Sequence, residues 1–347
     1  MPIKGRPLSG LVLALVLGSS SAFPCSSANC PLVTQNQDGV KSKGTWSLDL
    51  GYRFMRQDGL TGVDAADTRP IAPLIDFERQ LVLRGHHSDS SMRHSLLQVD
   101  LGYGLTSRIT LSASIPLLSD RLHEQFDLKS NLGISHNLHG PSEEIFDSTY
   151  LSSTPTPHGA RGIGDLQLGA TFSAFSNSEK SLVFRVGVKA PSGDYKVRDS
   201  FGSVDRPDLQ PGSGSWDEVG AIQYQHRLGD STWSAFGGAW GRLTGSNDIN
   251  YRFGNELSLA AGVTRATPGR LRLSMQVGFR VNARDSFVSE PVPATGLRAW
   301  TLTPGARMRL GASLGAYIFA KLPISTHVND AQLRPRVDIL TGFSRTF

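Results

Sequence analysis

The sequence predicts an all-β fold, a transmembrane antiparallel β-barrel of about twelve strands with long extracellular loops and short periplasmic turns. Three observations predict it. The chain closes on an alternating strand that ends in an aromatic residue, ten of the eleven earlier segments repeat the same alternation, and the connections between segments are long and short in turn. In the closing strand Val337, Ile339, Thr341, Phe343 and Phe347 share one face, while Asp338, Gly342, Ser344 and Thr346 share the other. Arg345 interrupts the apolar face, but it lies close enough to the terminus to reach the headgroups.

The chain opens on Lys4 and Arg6, then an apolar run from Leu11 to Leu17, then Ser19, Ser20, Ser21 and Ala22. Basic, apolar and small residues in that order read as a signal peptide over 1–22, with cleavage after Ala22. No later window holds the ~18 apolar residues that a membrane helix needs. Residues 23–43 read as a periplasmic segment carrying the only two cysteines, Cys25 and Cys30. Export to an oxidising compartment makes them a disulfide candidate; two thiolates for a soft metal are the alternative. Residues 44–347 form the barrel. Without the leader, 33 Lys and Arg face 30 Asp and Glu, scattered along the chain, which is no footprint for nucleic acid.

The strands follow in order. Trp46, Leu48, Leu50, Tyr52 and Phe54 oppose Ser47, Asp49, Gly51 and Arg53, which places charge away from lipid. Leu97 to Leu105 repeats the pattern against Gln98 and Asp100, and Ile109 to Ile115 does so until Pro116 stops it. Leu166 to Phe172 opposes Asp165 and Gln167, and Leu182 to Val188 opposes Arg185 and Lys189. Ile222 and Tyr224 face away from Gln223 and Gln225, whereas Trp233 to Arg242 is too rich in Gly and aromatics for its faces to be assigned. Leu257 to Val263 opposes Glu256; Leu271 to Phe279 opposes Arg272 and Arg280. Trp300, Leu302, Met308 and Leu310 oppose Arg307 and Arg309, with Pro304 predicting a bulge or two shorter segments. Leu314 to Ala320 opposes Tyr317, Phe319 and Lys321.

Between these strands the long connections span Gln57 to Met92, Leu118 to Ile163, Pro191 to Ser215, Thr244 to Phe253, Val281 to Leu297 and Pro323 to Pro335. The connections between them are short, as at Ser107 and at Gly229 to Ser231. A soluble sandwich, the main structural rival, has no reason to sort its loops in this way.

Three segments, GIGDLQLGATF (Gly162 to Phe172), VGVKAPSGDY (Val186 to Tyr195) and LQPGSGSWD (Leu209 to Asp217), resemble the outer-membrane family named for the MetA pathway of phenol degradation. The resemblance implies an outer-membrane barrel, a transporter of porin-like kind that passes small, aromatic or hydrophobic molecules. The glycines of PSGDY and QPGSGS read as tight turns that need positive φ.

The expected function is passive passage of such solutes, with no cofactor and no catalytic residues. Inward-facing candidates for the lumen are Asp49, Arg53, Asp100, Asp165, Arg185, Lys189, Glu256, Arg272, Arg280, Arg307, Arg309 and Lys321. Their basic excess favours anions if the lumen is open; mutual pairing as polar filling is the other reading. A metal-capturing or metal-exporting barrel is the alternative function, using His86, His87, His136 and His139 in the loops. No Ser, His and acid pattern specifies an enzyme. The expected partners are outer-membrane lipid, the barrel-assembly machinery and a small permeant, and the expected place is the outer membrane of a Gram-negative bacterium.

Overall fold

The structure is a computed structural model that describes residues 39–62, 72–130, 133–134, 149–199, 202–229 and 232–347. The expected signal peptide, Cys25, Cys30, His136 and His139 lie outside the described residues. Twelve antiparallel strands close into a barrel: β1 (Trp46–Thr61), β2 (Leu81–Gly104), β3 (Ile109–Ser130), β4 (Gln167–Ser176), β5 (Lys180–Lys189), β6 (Asp217–Arg227), β7 (Trp233–Thr244), β8 (Glu256–Ala266), β9 (Leu271–Asn282), β10 (Leu297–Arg309), β11 (Leu314–Val328) and β12 (Gln332–Thr346). Each pairs with its neighbours in sequence. The seam is shut by β1 against β12, with Leu50 opposite Phe343 and Gly51 opposite Gly342. Closure removes the free edge that would otherwise expose unpaired backbone to hydrocarbon.

The barrel is greasy outside. Leu48, Leu50, Leu257, Leu259, Leu273, Val277, Ile318 and Phe343 are all exposed, on alternate positions of their strands. That is the inverse of a soluble protein and suits a lipid-facing band. Outer-membrane barrels keep their long connections outside the cell, so the turns at 105–108, 177–179 and 310–313 are periplasmic.

Several strands run further than the hydropathy pattern predicts. β1 continues to Thr61, β2 starts at Leu81, β3 reaches Ser130, and β11 and β12 are joined by only Asn329–Ala331. A span needs only ~9–11 residues, so about half of the 24-residue β2 stands above the membrane. There the outer face turns polar: Arg56 pairs with Arg93 and Asp58 with Ser91. The backbone ladder continues after the apolar signal has stopped.

The expected bulge at Pro304 is also corrected. β10 runs unbroken through it, with Pro304 opposite Met275. The irregularity against β11 falls between Trp300 and Thr301 instead. No pairing with β11 is made at Thr303 or Pro304, so the missing proline N–H costs the ladder little there.

The strand before β4 is interrupted. Thr156–Gly162 and Gln167–Ser176 both pair with β3, and residues 163–166 lie between them off the ladder. Gly164 donates its N–H to the Pro116 carbonyl at 2.9 Å. A Cβ on Gly164 would lie 2.8 Å from that of Pro116, so only glycine fits here.

The extracellular end carries a cap. A small sheet of Tyr251–Arg252, Ser286–Phe287 and Glu290–Pro291 buries Tyr251, Phe287 and Val292 against Phe77, Val82 and Phe253. Phe77 meets Phe287 edge-on, with ring centroids 5.4 Å apart, a favoured aromatic geometry.

Candidate functional site: the lumen and its plug

The inward faces of the strands carry a belt of charge around the barrel. Arg53 on β1 binds Asp338 on β12 through Nε to Oδ1 at 2.8 Å and Nη2 to Oδ2 at 2.5 Å. Lys321 stands opposite Asp338 in the ladder. Further round, Arg280 approaches Glu256 at 3.9 Å, Arg242 approaches Glu256 at 3.5 Å and Asp217 at 3.8 Å, and Lys189 reaches Asp217 at 3.2 Å and Asp165 at 2.8 Å. Charges so deep are tolerated because each has an opposite neighbour.

The other lumen candidates sit on the periplasmic side of the belt or at its rim. Asp49 accepts from the Tyr317 hydroxyl at 2.6 Å, Asp100 accepts from Gln98 at 2.7 Å, and Arg185 donates Nε to Thr171 at 3.1 Å. Arg307 lies over the Tyr317 ring, 5.4 Å from its centroid. Arg272 and Arg309 share the inward parity but are exposed at the strand ends, outside the residues that line the lumen.

Aromatic rings line the lumen beside these charges. Tyr317, Phe319 and Leu340 form a buried cluster on adjacent strands. β7, whose faces the sequence leaves open, turns Phe236 and Trp240 inward. Glycine makes room for them: a Cβ on Gly305 would lie 2.0 Å from Phe319, and one on Gly262 would lie 2.7 Å from Phe236. A chamber of about 190 Å³ opens on this half, lined among others by Trp240, Arg53, Arg185 and Arg307.

In the loop from β5 to β6, residues 190–199 and 202–216 fold into the extracellular half as a plug. Leu209, fully buried, packs against Met92 of β2 and Leu333 of β12. Gln210 staples the loop to itself, donating to the carbonyls of Val197 and Asp205 at 2.9 and 3.0 Å and accepting from Val197 N–H at 2.9 Å.

The base of the plug is fixed by Asp165, which the interrupted strand delivers. Its Oδ1 accepts from Gly193 N–H at 2.9 Å, and its Oδ2 accepts from the N–H and hydroxyl of Ser213, both at 2.8 Å. Lys189, 1 % exposed, donates to Asp165 and to the Ser215 carbonyl at 3.0 Å. The three segments GIGDLQLGATF, VGVKAPSGDY and LQPGSGSWD therefore converge on one polar clasp. Of their turn glycines only Gly214 has positive φ, at 70°. Gly193 and Gly212 serve close approach instead: their Cβ atoms would meet the Ile163 carbonyl at 2.7 Å and the Gly193 carbonyl at 2.4 Å.

The tip of the plug is tied above the membrane. Arg206 donates to Asp89 of β2 at 2.8 Å and to Asp208 at 3.0 Å. His87 and His123 approach the same Asp89 oxygen at 3.3 and 3.1 Å. Burial alone would raise Asp89, but the Arg206 charge and the two imidazoles hold it well below the usual carboxylate range. Burial lowers His87 and favours its neutral form. Among the described residues no three His, Cys, Asp or Glu side chains come together as metal ligands. His86 and His87 approach each other through Nδ1 at 3.4 Å, but a guanidinium, not a further donor, completes the surroundings of Asp89.

A second cavity, about 100 Å³, lies between plug and cap, lined by Tyr251, Phe253, Met92, His123 and Asp285 among others. Asp285 accepts from Gly254 N–H at 2.6 Å and from the Tyr251 hydroxyl, and burial pushes it up to about 7.

Sequence reading missed Arg121, Arg242, Arg206, Phe236 and Trp240. Arg121 was hidden by a register shift between β2 and β3 at Leu97/Gln98, next to Pro116, which reverses the parity of everything beyond it.

A closed barrel with a lipid-facing band and a polar, plugged lumen defines a transmembrane β-barrel of the outer-membrane kind. No protein-family model matches the sequence, and no curated protein matches it. Among solved structures, an outer membrane channel from Pseudomonas putida F1 superposes with a TM-score of 0.58 at 12% identity, over 90% of this chain and 98% of that one. A monoaromatic hydrocarbon channel, the TodX deltaS2S3 mutant, gives a TM-score of 0.46 at 11% identity over 95% and 97% of the two chains. A FadL homologue from Pseudomonas aeruginosa gives 0.40 at 11% over 88% and 90%. The protein is an outer-membrane barrel with the fold of the P. putida channel.

Proposed function

We propose that the chain is a passive, non-enzymatic channel for small solutes, aromatic or hydrophobic ones among them, and that the loop 190–216 is its gate. The observation that carries this reading is the lumen wall itself, where Trp240, Phe236, Tyr317 and Phe319 point inward rather than into lipid. Phe236, Tyr317 and Phe319 are packed within that wall, and Trp240 forms part of the wall of the 190 Å³ chamber, where a purely aqueous pore has no use for an apolar ring. A solute with an aromatic face gains ~0.5–1.5 kcal/mol from each ring it meets in favourable geometry, beyond the apolar area it buries. The resemblance of three segments to the MetA-pathway family points the same way, and those segments build the clasp that holds the gate.

In this reading the charge belt serves as polar filling that keeps the barrel wall hydrated where permeants pass. In the same reading the barrel-assembly machinery inserts the barrel into the outer membrane. Planar-bilayer recordings test the proposal. Benzyl alcohol should interrupt the current more often than glycerol at equal concentration, and substituting Trp240→Ala should shorten those interruptions. Equal effects of the two solutes on the wild-type current would remove the aromatic reading.

A further inference from the structure

Under the plug, where the clasp meets β3, the protein buries a cation that makes no ion pair among the described residues. Arg121 is 5% exposed, and its one hydrogen bond among the described residues runs from Nη1 to the backbone carbonyl of Asp208. Its Nε is buried without a partner, and it forms no ion pair among the described residues. The nearby carboxylates are engaged elsewhere: Asp208 by Arg206 and Asp165 by Lys189. A buried guanidinium without an ion-pair partner is strongly disfavoured, so this position attracts an anion.

A second free donor lies close by. Arg53 spends Nε and Nη2 on Asp338, while its Nη1 is buried without a partner among the described residues. The ladder places the two arginines together: Arg53 faces Leu96, Leu96 faces Ser119, and Arg121 is the next inward residue after Ser119. The charges of Arg53 and Arg121 repel each other, and both act on His94, which lies beside them with Ser119 at 3.4 Å. Arg121 borders a void of about 30 Å³, lined also by Leu96, Ser119, Asp165, Lys189 and Ser213. Arg53 lines the larger chamber below instead, and Leu96 lines both.

We propose that Arg121 and Arg53 form an anion-binding site at the waist of the lumen, and that the ligand is the carboxylate group of a permeant whose apolar body lies in the 190 Å³ chamber beside Trp240. A carboxylate accepts in its own plane from two guanidinium groups, so it satisfies both idle N–H groups and neutralises the unmatched charge in one step. A neutral hydroxyl of the same size can do only the first. The inference deepens the channel reading and rests on it for the route by which the carboxylate arrives: the preferred solute is a small aromatic acid, held where the plug closes the path.

Isothermal titration of the purified full-length barrel in detergent, with benzoate against benzyl alcohol as the neutral counterpart, tests the site. Benzoate should bind at least tenfold more tightly than benzyl alcohol, and R121Q should bring the two within about twofold of each other. Equal affinity for the two ligands in the wild-type protein overturns the proposal, as does benzoate affinity unchanged in R121Q. The wild-type comparison decides the matter alone if R121Q does not fold. Benzoate binding in a barrel that passes no current keeps the anion site and removes the channel reading; current through a barrel indifferent to benzoate does the reverse.

Discussion

Arg53 and Asp338 join the first and last strands of the barrel, 285 positions apart in sequence, by a bidentate pair buried on the lumen side of the seam. Both residues belong to the backbone ladder that closes the barrel, offset diagonally by two residues, with Arg53 opposite Leu340 and Met55 opposite Asp338. Ladder and ion pair are thus two independent locks on the same closure.

Removing one half of this pair leaves the other charged and dry. D338A should cost about 3–5 kcal/mol, the range for an uncompensated buried partner. The shift in urea midpoint of the folded, heat-modifiable band on a gel measures it. A midpoint within error of wild type would show that the pair does not secure the seam.

The clasp makes a different prediction, about the loop rather than the barrel. K189M leaves Asp165 and Asp217 without their shared cation. The strands should stay paired while the loop 190–216 loosens, giving new protease cleavage within that loop on intact cells. Cleavage indistinguishable from wild type would mean that the clasp does not hold the plug.

Packing of rings on the inner wall depends on glycine opposite them. A methyl at Gly305 would sit 2.0 Å from Phe319, so G305A should cost about 1–3 kcal/mol by overpacking. In an F319A background the same change should cost less than about 0.5 kcal/mol. Equal penalties in both backgrounds would place the strain elsewhere.

The cap should respond to pH through Asp285. Its folded value of about 7 lies above the usual 3.8, so the folded cap binds this proton more tightly than the opened one. Cap stability is therefore lost as pH rises through 7. Between pH 6.5 and 8 local opening should increase about fourfold, and D285N should abolish the change. Asp89 is held low by Arg206, and burial lowers His87, so both shifts run away from that window. Hydrogen exchange at Tyr251 to Gly254 is the readout, and flat exchange rates across the window would contradict it.

The membrane-facing part of this fold was legible in the sequence because lipid on one side and water on the other impose a period of two. Arg53, Asp100, Arg185 and Lys189 could be given an inward face for that reason. Above the membrane the same strands meet water on both faces, so Arg56 and Arg93 carry no pattern and the extensions read as loops. Arg121 was lost to a register shift, and Trp240 to the glycines flanking it. The clasp was half visible: three glycine-rich segments stood out, but nothing local says that Asp165, Lys189 and Ser213 meet. That contact is made by a strand break and a loop that returns through the lumen.

Single-channel recording of the wild-type barrel beside a variant with residues 197–209 replaced by a short Gly-Ser linker tests the gated channel most directly. The account predicts small current steps for the wild type and larger, longer-lived steps once Leu209 and Arg206 no longer fill the extracellular half. Silent membranes with both proteins, or identical steps from both, would contradict it.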